Sequence, residues 1–359
     1  MVGKPFARKE VALQAIAYGN VSVAIEEQKM MDLTTNYMGL SLNNPLIAAA
    51  SPLTSTLKSV QRLEKAGIAA VVLPSLFEEQ IRQEQEEQIV LPKNNLFPEV
   101  TSFLPAGLTL ERGSRAYLDT IGQVKAAVDI PVIASLNGCS EGGWMDFARQ
   151  IEQAGADGIE LHIYYNPPSL EITGREVEDV YLDAASRIKS SIAIPVALKI
   201  DPFFSAFGNM ARQFDEMGVD ALVMFNRMLQ PDFNLNNMQV ETAWPISKPG
   251  EIGIPLRWIS VLYGKINASL AATSGAYDHE DIVKYLLGGA DTVMLASALI
   301  RNGADYVSVL LKGLEVWLKQ RDFTGLKDMR GLMSQRSLAN PEAFERASYI
   351  RTVDGAKKH

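Results

Sequence analysis

Ser269 to Val307, SLAATSGAYDHEDIVKYLLGGADTVMLASALIRNGADYV, reads as strand, helix, strand. Ser269–Ala272 and Thr292–Ala296 are short, almost continuously apolar runs, as strands buried on both faces of a parallel sheet must be. Between them Asp278 supplies a helix N-cap, a helical apolar period follows, and Leu287-Gly288-Gly289-Ala290-Asp291 stops it. The same punctuation recurs at Lys65-Ala66-Gly67, Gln153-Ala154-Gly155-Ala156-Asp157 and Glu216-Met217-Gly218-Val219-Asp220. Each precedes a further apolar run. With Leu46–Ala50, Ala69–Leu73, Pro131–Ser135, Gly158–Ile163, Val196–Ile200 and Ala221–Phe225, the predicted strands number eight. Eight strands alternating with helical segments predict an α/β fold of the (β/α)8 TIM-barrel type rather than an open doubly wound sheet.

Two connections are longer than plain strand-to-helix loops: residues 74–128 after the second predicted strand and 226–267 after the sixth. Both leave the C-terminal end of a strand, the face on which barrels carry their chemistry, and are expected to wall the site. The first holds the polar run Glu78–Gln88, read as a solvated helix. The second holds Trp244-Pro245-Ile246 and an amphipathic helix at Ile254–Ile266. Residues 31–359 are expected to form the single barrel domain. Residues 1–30 read as a separate amphipathic arm, or as a leader foreign to the native chain.

Composition narrows the function. The 359 residues carry a net charge of −8 and no basic block with interleaved aromatics, which argues against a nucleic-acid partner. One cysteine, Cys139, and three histidines (His162, His279, His359) are too few for a disulfide framework or a His/Cys metal centre, so no metal is expected. No apolar run is long enough to span a bilayer, and no signal peptide is legible at the N-terminus. A cytoplasmic protein with no membrane partner is the resulting expectation.

The chemistry gathers where the strands end. Thr273-Ser274-Gly275-Ala276 and Ala296-Ser297-Ala298 are small residues whose backbone N–H groups and hydroxyls can approach phosphate oxygens, and barrels commonly hold phosphate there. His279 reads as an exposed first-turn residue. Lys199 ends an apolar strand, where an ammonium is costly to bury without a partner, so it reads as functional or as one half of a structural pair. His162 shares one side of its strand with Glu160 and Tyr164 and is the one well-placed base for neutral pH, unless it is tucked against neighbouring loops. Asn226 follows the sixth strand as a site amide or as an ordinary turn residue. Cys139 is a nucleophile or inert packing. Glu171 and Arg175 lie in a segment that can wall the pocket and carry no assigned role.

Taken in order, these motifs resemble the class 1 dihydroorotate dehydrogenases. Ser269 to Val307 is similar to that family's C-terminal FMN-phosphate segment. Asp32 to Leu46 followed by Ala49-Ala50-Ser51-Pro52 is similar to its first strand, and Val196-Ala197-Leu198-Lys199-Ile200-Asp201-Pro202 to its fifth. The likeness spans roughly residues 32 to 320. It implies FMN as cofactor, contacted by Ala50, Ser51, Lys199, Asn226, Gly253, Thr273, Ser274, Gly275, Ala296 and Ser297. It also implies a small-molecule substrate such as dihydroorotate, an electron acceptor, a homodimer, and a place in pyrimidine biosynthesis. The soluble fumarate-type 1A form is the nearest subtype, for want of a quinone-directed helix or a cysteine-rich iron–sulfur motif. Lys199 would lie against the pyrimidine edge of the flavin; at about 4 Å and an effective dielectric near 20 its attraction for charge there is roughly 4 kcal/mol before desolvation.

The substrate motifs depart from the family. Leu73-Pro74-Ser75 stands where the second strand ends in a lysine, and Val100 to Gly113 holds no asparagine where the family's Asn-rich loop belongs. Glu160-Leu161-His162-Ile163-Tyr164-Tyr165-Asn166-Pro167-Pro168 replaces Asn-x-Ser-Cys/Ser-Pro-Asn, so His162 takes an asparagine position and Tyr164 or Tyr165 that of the base. The candidate catalytic residues are accordingly Lys199, His162 and Tyr165. A tyrosine with its ordinary pKa near 10 needs about 4 kcal/mol to ionise at pH 7 but can still donate a hydrogen bond or a proton. Three further readings stand beside dihydroorotate oxidation: an FMN oxidoreductase for another substrate, a non-catalytic flavin-binding paralogue in a redox complex, and a flavin-free phosphate-sugar lyase using Lys199 as a Schiff base.

Overall fold

Parallel pairing closes the eight apolar runs on themselves. In the computed structural model, which describes residues 31–81, 113–138, 144–167, 169–227, 232–241 and 246–356, they are β3 (Leu46–Ala48), β4 (Ala70–Phe77), β5 (Val132–Asn137) and β6 (Gly158–His162). The barrel continues with β7 (Val196–Ile200), β8 (Ala221–Met224), β11 (Ser269–Ala272) and β12 (Thr292–Leu295). The spatial order is that of the chain, and β12 pairs back onto β3, so the sheet is a closed TIM barrel as expected. The described residues from Asp32 onward belong to one compact unit.

Around it lie α1 (Leu57–Lys65), α2 (Ser114–Lys125), α3 (Trp144–Gln153), α4 (Gly174–Ser191), α5 (Phe207–Glu216) and α6 (Gly253–Leu262). Then come α7 (His279–Gly288), α8 (Ser297–Asn302), α9 (Tyr306–Lys319), α10 (Leu326–Met329) and α11 (Pro341–Ala356). No described helix is long and apolar enough to cross a membrane. The predicted glycine stops hold: Gly67, Gly155, Gly218 and Gly289 all adopt positive φ. Asp278 caps α7 by accepting from the Asp281 N–H at 3.0 Å.

The aspartates of that punctuation have a second duty. Each accepts a backbone N–H from the start of the preceding strand: Asp157 from Val132 (2.7 Å), Asp220 from Val196 (2.8 Å) and Asp291 from Leu270, the second residue of β11 (2.8 Å). A cation sits on each: Lys125 on Asp157 at 2.7 Å, Lys189 on Asp220 at 2.6 Å, and Arg330 on Asp291. The repeat thus ties neighbouring strands together at the N-terminal end of the barrel.

That end is filled by an element not anticipated from the sequence. β1 (Thr35–Tyr37) and β2 (Leu40–Leu42) form a hairpin around Met38 (φ 50°) and Gly39 (φ 80°). Tyr37, Met38 and Leu42 join the interior cluster of Ile47, Ala70, Val72, Ile133, Ala197, Ala221, Val223, Ala271 and Met294. The inward alanines leave the room that Tyr37 and Met38 occupy, and a Cβ on Gly158 would lie 2.4 Å from Met38 Cε.

Two expectations are corrected. The second barrel strand does not end at Leu73: it continues through Pro74 to Phe77, with a register shift between Val72 and Ser75 where the proline can sit without breaking the ladder. The helix expected at Ile254–Ile266 is shorter, ending at Leu262 before Gly264, whose φ of 72° an ordinary helical residue cannot share. The insertion after β8 also carries a small hairpin, β9 (Asp232–Asn234) with β10 (Gln239–Glu241). Residues 1–30, the loop at 100–112, Cys139, Pro168, Trp244-Pro245 and most of the polar run at 78–88 lie outside the described residues; of that run, residues 78–81 are helical, and Glu78 is buried.

Candidate active site

Alternation along the strands decides which side chains enter the barrel. Because Ile133, Gly158 and Ala197 face inward, so do Ser135 and Asn137 on β5, Glu160 and His162 on β6, and Lys199 on β7. Parallel register then sets Ser135 beside Glu160, Asn137 beside His162, and His162 beside Lys199. The result is a polar line across three strands toward their C-terminal ends, above an apolar floor.

Its bonds are few. Asn137 Nδ2 lies 2.9 Å from His162 Nδ1; with Asn137 donating, the imidazole proton sits on Nε2. Lys199 Nζ donates to Glu160 Oε1 at 3.4 Å, and the Glu160 side chain is 1% exposed. Below them, Ser75 and Ser135 share a hydroxyl hydrogen bond of 2.7 Å. Asn226 follows β8, its N–H donating to Ile200 O at 3.0 Å. Among the described residues, no group bonds to the inaccessible His162 Nε2, Glu160 Oε2, Asp201 Oδ1 or Asn226 Nδ2. Buried polar atoms without partners are rare, and each calls for a bound ligand, a water or a catalytic role to account for it.

Electrostatics follows from the burial. Desolvation, reinforced by the Lys199 ammonium, pushes the His162 pKa down to about 3. A base poised at neutrality is therefore not what this environment makes; the ring is held neutral as a hydrogen-bonding group. Burial alone pushes the Asp201 carboxyl up to about 6. Tyr164 lies edge-on to His162, ring centroids 6.3 Å apart, and Tyr165 is half-buried in the loop beyond β6.

The second group of sequence candidates gathers at β3, β11 and β12. Ala50 and Ala296 pack together against the interior cluster, and Ser51 caps a short 3-10 turn at Pro52–Thr54. After β11, Ser274 and Gly275 are both left-handed (φ 73° and 71°), and no described residue accepts from the N–H groups of Ser274, Gly275 or Ala276. The fully buried Tyr285 of α7 braces this turn, its hydroxyl 2.7 Å from Ser274 O and 3.1 Å from Thr273 O. From the other side Gly250 N–H donates to Gly275 O at 3.2 Å, and an Arg227–Glu251 ion pair ties this segment to the end of β8. A Cβ on Gly275 would lie 2.5 Å from the Glu251 carbonyl carbon, so only glycine fits.

Not every candidate is arranged as expected. Thr273 Oγ1 donates to Phe225 O at 2.9 Å, so its proton is committed to the scaffold. Ser297 Oγ accepts from Ser247 N–H at 3.0 Å and keeps its own proton free to donate. Gly253 opens α6, exposed, with nothing within 4 Å of the place a Cβ would take. His279 is not a free surface residue: it packs against Gly313 of α9, where a Cβ would meet its ring at 2.5 Å. Glu171 and Arg175 are exposed, Arg175 paired with Asp179. Asn137 and Asp201 were not singled out from sequence. Asn137 is detectable only through its register with His162, and Asp201 only through its burial.

The two groups fit a phosphorylated planar heterocycle: open backbone N–H groups and a serine hydroxyl on one side, unpartnered donors and an ammonium on the other. No family model matches the chain. Dihydroorotate dehydrogenase B (NAD(+)), catalytic subunit, of Methanothermobacter thermautotrophicus is 25% identical over 312 residues, covering 84% of this chain and 98% of that protein. The protein of the same description from Pyrococcus furiosus is 25% identical over 309 residues, covering 84% and 99%. "Putative dihydroorotate dehydrogenase A (fumarate)" of Aeropyrum pernix is 25% identical over 311 residues, covering 84% and 97%. The fumarate-type subtype expected from sequence is represented by the last of these, while most of the similar proteins carry the NAD(+) description. Over most of its length, at about 25% identity, this chain is a distant relative of the dihydroorotate dehydrogenases.

Proposed function

We propose that the protein is an FMN-dependent oxidoreductase acting on a CH–CH bond of a small cyclic substrate, with dihydroorotate as the first candidate. The observation that carries this reading is the set of half-buried His162, Lys199 and Asn226, with His162 Nε2 and Asn226 Nδ2 inaccessible and without a partner among the described residues, at the C-terminal face of a barrel whose relatives are dihydroorotate dehydrogenases. The phosphate of FMN would be held by Ser274, Gly275, Ala276 and Ser297, with Ala50, Ser51 and Ala296 admitting the ring by their small size, and Gly253 and Thr273 shaping the wall. Lys199 would face the pyrimidine edge. The chemistry FMN supplies when bound is acceptance of a hydride from carbon.

The chain's own residues do the rest. Lys199 presents positive charge where negative charge gathers. His162, neutral and carrying its proton on Nε2, donates a hydrogen bond, and Asn226 offers an amide that can pair with an imide edge. Tyr165, which the motif likeness sets at the family's base position, would relay the one proton that leaves the substrate alongside the hydride. The electron acceptor follows either NAD(+) or fumarate, by analogy with the relatives' descriptions.

A second reading, the same cofactor with a different substrate, is favoured by one observation. Ser75 follows Pro74 at the place of the family's lysine, and its hydroxyl is already bound to Ser135, so no charged anchor for an orotate-like carboxylate stands there. Anaerobic addition of dihydroorotate to the FMN-loaded protein separates the two. Bleaching of the flavin absorbance supports dihydroorotate; an unchanged oxidised spectrum leaves the flavin enzyme with another substrate.

A further inference from the structure

The Lys199–Glu160 pair is poorly made as a structural element. Taking two charges into a barrel interior costs several kcal/mol per ion, and a buried pair offsets this only with good geometry and satisfied remaining lone pairs. Here the one contact is 3.4 Å long and Glu160 Oε2 has no partner among the described residues. The neighbours that share the interior are Ala197, Ala221, Val223 and Ala271, a setting in which apolar side chains would pack at lower cost. Tyr37, fully buried, feels the charge of the same carboxylate: its hydroxyl has no partner among the described residues, and its pKa is raised, first by burial and then by Glu160. Glu160 is thus an anionic group kept beneath Lys199 without a stabilising bond network around it.

We propose that Glu160 is a positioning residue for the site: it draws the Lys199 ammonium to one place across β6 and β7 and, as its countercharge, limits the positive potential that reaches a bound flavin. This rests on the FMN reading above. The pair is then a charge-balanced device in which Lys199 favours the reduced, anionic cofactor and Glu160 sets by how much. It acts through Lys199, whose ammonium is the one group bonded to the Glu160 carboxyl among the described residues.

The test uses the full chain loaded with FMN, as wild type, Glu160→Gln, Lys199→Met and the double variant, with FMN affinity measured in both redox states and the midpoint potential of the bound flavin. Glu160→Gln is expected to raise the preference for reduced over oxidised FMN about tenfold, the scale of one charge acting over about 12 Å at an effective dielectric near 20. Lys199→Met lowers that preference, and Glu160→Gln has a smaller effect in the Lys199→Met background than in wild type. A Glu160→Gln protein with an altered melting temperature but an unchanged potential overturns the proposal, because a structural role moves only the former. An additive double variant overturns the claim that Glu160 acts through Lys199. Should Glu160→Gln not fold, Glu160→Asp keeps the charge and withdraws it by one methylene; it is expected to shift the potential in the same direction by less, and no shift contradicts the proposal. Wild-type protein that binds no FMN defeats the cofactor reading, and this inference with it, before any variant is compared.

Discussion

His162 is the residue whose surroundings most change its reading. Sequence placed a histidine among groups that handle protons; the fold sets it against Asn137 and Lys199 and holds its pKa at about 3 rather than 6.5. Since the unfolded chain binds the proton more readily, this site makes stability fall as pH drops from 6.5 toward 3, by at most about 5 kcal/mol at 1.36 per unit. Asp201 has the opposite sign: its pKa is raised from 3.8 to about 6, so its contribution is lost as pH rises through that window. Urea unfolding across pH 4 to 7 is expected to show His162→Gln gaining on wild type as the medium becomes acidic; a pH-independent difference contradicts the assignment. Gly275 gives a second test at this scale. Alanine there must hold a φ of 71° and meet the Glu251 backbone, which should cost about 2–3 kcal/mol and weaken FMN binding. Gly253→Ala, with open space around it, should leave both nearly unchanged. Equal melting temperatures for the two variants would show that the cradle is not as rigid as described.

Among the elements, those legible in sequence are the ones that bury both faces. Near-continuous apolar runs such as Val196–Ile200 and Ser269–Ala272, broken only by Lys199 and Ser269, are too apolar on both faces to be mistaken for half-exposed strands, and both begin and end where expected. The hairpin of β1 and β2 was not legible, because strands of three residues are too short to display a period; what makes them strands is the space left by Ala70, Ala197, Ala221 and Ala271. Pro74 misled for a related reason. A proline ends a strand in isolation, whereas a bulge between Val72 and Ser75 lets this one pass. The repeated aspartate was visible as a letter but not as a fastener, since its acceptor role depends on which strand lies alongside. Asp220→Ala removes the acceptor of the Val196 N–H and the partner of Lys189, and should destabilise the protein by about 2–3 kcal/mol in chemical denaturation. A loss below about 0.5 kcal/mol, the size of an ordinary surface change, would remove the aspartate from the account of barrel closure.

At the scale of the whole molecule, architecture and chemistry were unequally readable. The count of eight strands and the glycine stops specify a closed barrel, and the barrel specifies the face on which a site can form. Lys199, His162 and the Ser274-Gly275 turn were legible because strand ends and small residues announce themselves in one dimension. The contacts of Asn137, Glu160 and Asp201 were not, because each depends on the lateral register of strands far apart in sequence. Distant relatedness to dihydroorotate dehydrogenases spans most of the chain, yet the motif likeness read from sequence implies that Pro74 and Tyr164 or Tyr165 replace that family's substrate and base groups. The cofactor is therefore the common ground of every oxidoreductase reading, and its binding is the central claim. It is tested most directly by titrating the purified full-length protein with FMN and following flavin fluorescence and visible absorbance. One FMN per chain, with the affinity reduced at least tenfold in Lys199→Met, is the predicted result; a protein that is colourless as isolated and takes up no FMN would contradict the account.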